Sequence, residues 1–244
     1  AQEQRATLIE ALVEMDDKLM EKFFAGEEIS VDELKVALRK GTLESKIFPV
    51  LGGDSRTVMA KTILDYIALC LPSPLDVPPV QGDHPKTGAE IERKPQESEP
   101  FSGLVFKIVN DPHIGNLSYF RVYSGTVNSG SYVYNTTKDI RERISRLVLM
   151  HADDREEVQA LRAGDIGAIV GLKSSVTGDT LCEENNPIIL EQITFAEPVV
   201  SQAIEPATKS DEEKMSEALN RLVREDPTFK VESNVETGQT IISG

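Results

Sequence analysis

Residues 100–125 read P-F-S-G-L-V-F-K-I-V-N-D-P-H-I-G-N-L-S-Y-F-R-V-Y-S-G and decide how the rest of the chain is arranged. They hold two runs of period-two alternation. In the first, Leu104, Phe106 and Ile108 alternate with Val105, Lys107 and Val109; in the second, Phe120 and Val122 alternate with Tyr119, Arg121 and Tyr123. Successive side chains of a strand point to opposite faces, so aromatic and β-branched residues in this order predict two strands. Asp111, Pro112, Gly115 and Asn116 supply the turn between the runs, and Ser124-Gly125 closes the second. Pattern alone predicts an antiparallel hairpin in an all-β domain.

Downstream, short apolar runs recur at 131–134, 144–149, 166–172 and 188–195, and no helical pattern intervenes. The separators are Asn128-Ser129-Gly130, His151-Ala152-Asp153-Asp154, Ala163-Gly164-Asp165 and Thr177-Gly178-Asp179. Such spacing predicts a sandwich or a barrel. Lys138, Arg141, Arg143 and Arg146 form the most basic cluster of the chain. Two readings of it are open: a solvated charged face, or contacts to a nucleic-acid backbone. Residues 198–204 read as a further strand. Ser210 and Glu213 carry the spacing of a capping box, and Met215, Ala218, Leu219, Leu222 and Val223 then give a one-faced helix ended by Asp226-Pro227. Residues 228–233 and 239–243 form a candidate hairpin about Glu236-Thr237-Gly238.

Upstream, Leu8, Ile9, Leu12, Val13, Leu19, Met20, Phe23 and Phe24 predict one amphipathic helix over 7–24, its apolar stripe in a core, stopped at Gly26. Ser30 and Glu33 predict a capping box opening a short helix through Leu34, Ala37 and Leu38 to Gly41. Residues 46–51 read as a strand, followed by the turn Gly52-Gly53-Asp54-Ser55 and a helix over 57–71. A turn of this kind can bind an anion through backbone amides, but it can equally just reverse the chain. Pro72, Pro74, Pro78, Pro79, Pro85, Pro95 and Pro100, with few apolar residues between, predict an extended linker over 76–100 and a domain boundary there.

With 244 residues, 39% hydrophobic and 27% charged, the chain can bury a core and form one or two domains. No apolar run reaches the roughly 20 residues that span a bilayer. A net charge of −15 counts against a simple electrostatic nucleic-acid binder, so any RNA contact has to come from a local patch. Cys70 and Cys182 lack C-x-x-C spacing and read as reduced thiols of a cytoplasmic protein. There is no initiating Met and no signal-peptide pattern, and the chain is expected to be a piece of something longer. No G-x-x-x-x-G-K-[ST] and no Asn-Lys-x-Asp occurs. His84, His113 and His151 are too dispersed for a metal site or a hydrolase triad, and the adjacent carboxylates Asp16-Asp17 and Asp153-Asp154 point apart. No catalytic constellation is present, and no metal ligand set.

The opening stretch resembles the start of the second domain of elongation factor G, the ribosomal translocation GTPase family. E-R-I-S-R-L-V-L-M-H-A-D-D-R-E-E-V at 142–158, R-A-G-D-I-G-A-I-V-G-L-K at 162–173 and T-G-D-T-L-C at 177–182 extend the resemblance. E-D-P-T-F at 225–229 and E-T-G-Q-T-I-I-S-G at 236–244 resemble its third domain. The resemblance implies a multidomain α+β chain: the end of a GTPase domain over 1–75, the linker over 76–100, an antiparallel β-barrel over 101–197 and an incomplete ferredoxin-like α/β sandwich over 198–244. It makes Gly53, Asp54 and Ser55 residual guanine-loop positions. Where the family has Ser-Ala-Leu or Ser-Ala-Phe, this sequence has Asp54-Ser55-Arg56, a departure that puts guanine binding in question.

It also implies that Lys138, Arg141, Arg143 and Arg146 contact small-subunit rRNA. The expected partners are the ribosome, through small-subunit rRNA and proteins, and the missing GTPase domain, with no membrane and no DNA. This fragment is expected to take no cofactor; GTP and Mg²⁺ belong to the parent, and the chain alone should not hydrolyse GTP. Two other classes stay open: a related translation GTPase (ribosome-protection, class-II release or recycling factor), and a stand-alone ribosome-interaction module.

Overall fold

A computed structural model describes residues 2–54, 56–111, 114–152, 154–191, 193–234 and 238–244. The chain divides into two compact units, Ala1–Val77 and Pro78–Gly244.

The first unit is helical: α1 (Gln2–Val13), α2 (Asp17–Ala25), α3 (Val31–Leu43) and α4 (Met59–Cys70). Its core joins Leu12, Val13, Leu19, Ala37, Leu38 and Cys70. The single helix expected over 7–24 is two. Asp16 breaks it by turning its carboxylate onto the N–H groups of Lys18 (2.9 Å) and Leu19 (3.3 Å), which caps α2. Gly26 ends α2 in the left-handed region (φ 71°), where a glycine carries no Cβ penalty. Phe24, expected in the core, is 80% exposed.

The Ser30–Glu33 capping box forms as predicted. Lys22 adds an ion pair to Glu33 at 2.6 Å. The hydrogen bond from Lys22, reinforced by the N–H and hydroxyl of Ser30, holds the Glu33 carboxyl down to about 2. Asp76 closes the unit by accepting from Arg39 (2.6 Å) and from the Ser73 N–H (2.7 Å). The strand expected over 46–51 is absent, with Phe48 75% and Val50 93% exposed. A strand needs a neighbouring strand to take its backbone hydrogen bonds, and among the described residues none pairs with this segment, whose Lys46 and Ile47 N–H groups donate to the Gly41 carbonyl instead.

The second unit holds β1 (Val80–Asp83), β2 (Glu90–Arg93), β3 (Ser102–Asp111), β4 (Gly115–Ser124), β5 (Thr126–Asn128), β6 (Tyr132–Asn135), β7 (Ile140–Arg143), β8 (Arg146–His151), β9 (Asp154–Val158), β10 (Ala160–Arg162), β11 (Ile166–Val170), β12 (Thr180–Cys182) and β13 (Ile189–Leu190). It continues through β14 (Ser201–Ile204), α5 (Glu212–Glu225), β15 (Lys230–Ser233) and β16 (Thr240–Ser243). Eight strands make one antiparallel sheet in the order β7-β6-β12-β3-β4-β11-β8-β9, and β5 pairs with β10. The sheet curls round one core of Phe101, Val105, Ile108, Phe120, Val122, Val127, Val133, Ile144, Leu147, Leu161, Ile169, Leu172 and Leu181.

The predicted hairpin is β3 and β4, with one difference. The register shifts between Val105 and Lys107, so Phe106 bulges and stands 37% exposed while Val105 and Ile108 both face inward. Pro112 and His113 of its turn lie outside the described residues, as does Asp153.

Part of the stretch read as an extended linker is paired. β1 and β2 form a hairpin, and β1 takes β13 on its other side. The prolines do not prevent this because none falls within either strand: Pro78 and Pro79 precede β1, Pro85 lies in the turn, and Pro95 follows β2. Gly82 allows the approach of β13, since a Cβ there would lie 2.4 Å from the Ile189 carbonyl oxygen.

At the C-terminal end, the sheet order β14-β16-β15 with α5 between β14 and β15 is a split β-α-β arrangement. The box expected at Ser210 does not close. Instead Asp211 stands at the helix N-terminus without a capping bond, and the Thr208 hydroxyl donates to its carboxylate at 2.6 Å. Residues 235–237 of the hairpin turn lie outside the described residues. Glu225, at the end of α5, accepts the Asn110 N–H of β3 at 2.7 Å.

Candidate nucleic-acid interface

The β6–β7 hairpin presents the basic cluster. Its register sets Tyr132 opposite Arg143, Val133 opposite Glu142 and Tyr134 opposite Arg141. Alternation then puts Tyr132, Tyr134, Arg141 and Arg143 on one face, and Val133 and Glu142 on the other, where both are buried. The Arg141 guanidinium lies over the Tyr132 ring, 4.4 Å from its centroid, within the range of a cation–π contact.

The four candidate cations are not equivalent. Among the described residues Arg143 has no ion-pair partner. Arg141 lies 3.9 Å from Glu184 with both side chains well exposed, a pairing worth little. Arg146 is 2.5 Å from Glu157 of the neighbouring strand β9. Lys138 donates to the Ser174 carbonyl and lies 3.4 Å from the buried Asp179. Arg141 and Arg143 therefore keep most of their field for solvent, while Arg146 and Lys138 spend much of theirs within the protein.

Lys173, which sequence reasoning missed, joins the first two. It lines a depression of about 610 Å³ together with Tyr132, Arg141, Arg143, Ser145 and Ser174. The loop carrying it is held by buried polar groups. Glu142 accepts the N–H of Lys173 (2.8 Å), the N–H of Ser174 (3.3 Å) and the Ser175 hydroxyl (3.0 Å). Asn135, fully buried, donates to Ser175 Oγ (3.0 Å) and to Asp179 Oδ2 (2.8 Å). The signal available in the sequence was only the lysine after G-L at 171–172; the pairing that brings it beside Arg143 is not local.

Glu142→Ala is expected to cost about 1–3 kcal/mol, because a buried hydroxyl and two loop amides lose their acceptor. Chemical denaturation measures it, and Glu142→Gln, which keeps one acceptor oxygen, should recover part of the loss.

The other predicted positions lie in the first unit. Asp54 Oδ1 accepts the Arg56 N–H at 2.9 Å, and its carbonyl accepts the Thr57 N–H at 3.1 Å and the Thr57 hydroxyl at 2.8 Å. A Cβ on Gly53 would lie 2.4 Å from Met59 Cγ, so a side chain packed beside the glycine accounts for it. Ser55 lies outside the described residues. The amides of Arg56 and Thr57 are thus taken up within the turn itself. His84 Nδ1 accepts the N–H groups of Lys86 and Thr87 in the β1–β2 turn, and among the described residues no cluster of His, Cys, Asp and Glu could hold a metal.

Comparison with known proteins agrees with this architecture. The family model for elongation factor G domain 2 matches residues 100–184, and that for elongation factor G domain III matches residues 195–244. An elongation factor G of Thermotoga maritima is 56% identical over 245 residues, covering all of this chain and 35% of the relative. A crystal structure of a Thermus thermophilus protein superimposes with a TM-score of 0.76 at 26% identity, over all of this chain and 34% of that one. The chain thus spans about a third of the length of these proteins. With its sheet and its split β-α-β segment each matched by the corresponding domain model, the chain belongs to the elongation factor G family.

Proposed function

We propose that this chain docks its β-rich second domain on small-subunit rRNA and couples it to the neighbouring domains of a translocation GTPase. Residues 1–75 then correspond to the end of the GTPase domain, and 198–244 to the first half of the third. The observation that carries the docking reading is the outer face of β6 and β7. Arg141, Arg143 and Lys173 converge there on one depression in a protein whose net charge is −15. Such a charge repels RNA at long range, so a site that binds it needs concentrated and unquenched cations. In this reading the parent binds GTP with Mg²⁺ through residues other than these, acts in the cytoplasm and moves tRNA and mRNA. Among the described residues no helix is long and apolar enough to cross a membrane.

Sedimentation of the chain with small ribosomal subunits at low salt tests the docking. Replacing Arg141, Arg143 and Arg146 together with Ala should weaken binding severely. Singly, Arg143→Ala should lower the slope of log K against log salt by about one, and Arg146→Ala should matter least because Glu157 already holds it. Binding that ignores all three replacements would return the cluster to a solvated face.

A further inference from the structure

The depression beside β6 and β7 has more in it than positive charge. Tyr132 is 56% exposed, and the side chain of Arg141 stacked on it is 60% exposed. Two flat groups are thus held in register at the rim, in contact with each other and open to solvent. The floor is firm. Gly171 (φ 105°) touches Ser145 so closely that a Cβ would fall 2.2 Å from the serine hydroxyl, and Glu142 ties down the 173–175 loop. Arg143 and Lys173 flank the stack, and Ser145 and Ser174 add hydroxyls.

Resting on the docking reading above, we infer that this depression receives a single unpaired RNA nucleotide. Its base lies against the Tyr132–Arg141 stack, and its phosphate lies near Arg143 and Lys173. The choice among ligands follows from shape and chemistry. The flank of a paired helix offers phosphates, and cations on a flat surface suffice for it. Its bases are stacked inside and cannot meet an aromatic ring. A bulged or loop nucleotide has both faces of its base free, and such bases stack on aromatic rings and on guanidinium planes. The volume of about 610 Å³ falls in the range of small-ligand sites. An acidic peptide would engage the three cations but would leave the aromatic platform without a role.

Fluorescence anisotropy with the whole chain and three labelled hairpins of equal length tests this: fully paired, carrying one bulged nucleotide, and carrying the same bulge without its base. The bulged hairpin should bind about fivefold to a hundredfold more tightly than the other two. Tyr132→Ala should abolish that preference, lowering affinity for the bulged hairpin to that for the paired one. Tyr132→Phe keeps the ring and should keep the preference, and Arg143→Ala should weaken all three alike. Equal binding of the three hairpins, or equal losses on all three from Tyr132→Ala, overturns the nucleotide site and leaves the docking face standing. A polyglutamate peptide that binds as tightly as the bulged RNA also overturns it. Failure of every hairpin to bind at low salt overturns this site and the docking reading together.

Discussion

Amide hydrogens of β14, α5, β15 and β16 are expected to exchange at least about a hundredfold faster than those of β3 and β4, because opening free energies range from near zero up to the global value. Among the described residues beyond Leu190, none is buried. The apolar stripe of α5 remains partly open, with Leu222 45% and Val223 40% exposed, and Val231, Ile241 and Ile242 of the sheet are only half-covered. In the eight-stranded sheet Val105, Phe120 and Val122 are 0% exposed. At about 25 cal/mol per Å² of apolar surface, a few hundred Å² of missing burial is several kcal/mol. Each 1.4 kcal/mol is about a tenfold change in an opening equilibrium.

The bond from Asn110 to Glu225 tethers the end of α5 to β3, but a single hydrogen bond nets only about 1 kcal/mol. Mass-spectrometric exchange resolves the two regions. Equal protection would mean that a second copy, or contact with the eight-stranded sheet, covers the apolar faces of α5 and its sheet in solution.

Gly125→Ala should cost about 4 kcal/mol or more, the range in which a single substitution points to one severe defect. Two effects combine. The residue sits at φ 71°, which an alanine adopts only at a cost of about 1–2 kcal/mol. Its added Cβ would also lie 2.5 Å from the Phe101 nitrogen, and 2.6 Å from both the Glu99 oxygen and Phe101 Cα. All three are backbone atoms, so no side-chain rotation relieves the contact. The site is a crossing of three segments: the Gly125 N–H reaches the Gln96 carbonyl at 2.9 Å, and its own carbonyl accepts the Ala163 N–H at 2.9 Å. Beside it the Ser124 hydroxyl donates to the Pro100 carbonyl at 2.6 Å.

Displacing the chain here moves Phe101, which is 2% exposed in the core. Gly130→Ala is the matched control, with φ 78° and nothing within 4 Å of the new Cβ. It should show the conformational cost alone. If urea denaturation finds the two variants equally stable, the crossing is looser than its geometry indicates.

Local chemistry was readable from the residues. The capping box at Ser30 and Glu33, the stop at Gly26 and the alternation of Phe120 and Val122 each depend on neighbours within a few positions, and each formed as expected. The face of a strand is less secure. The bulge at Phe106 is fixed by the register against β4, and one extra residue turns the following side chains over. Prolines over 76–100 suggested an unpaired linker, yet what decides pairing is where they fall relative to β1 and β2 and the presence of β13, more than ninety residues further on. Residues 46–51 had the pattern of a strand, and among the described residues no strand lies beside them to make them one.

The candidate interface divides in the same way. The residue types, Tyr132 with Arg141 and Arg143, follow from the composition of two adjacent short strands. Which cations remain open was decided by acids that the sheet brings close: Glu157 to Arg146 at 2.5 Å and Asp179 to Lys138 at 3.4 Å. Coulomb attraction depends on separation in space, not along the chain. The sequence by itself therefore determined the alternation of β4, the capping box at Ser30, the stop at Gly26 and the presence of a basic face, because those depend on residues close along the chain. Only the tertiary structure decided which charges that face presents, and that Lys173 belongs to it.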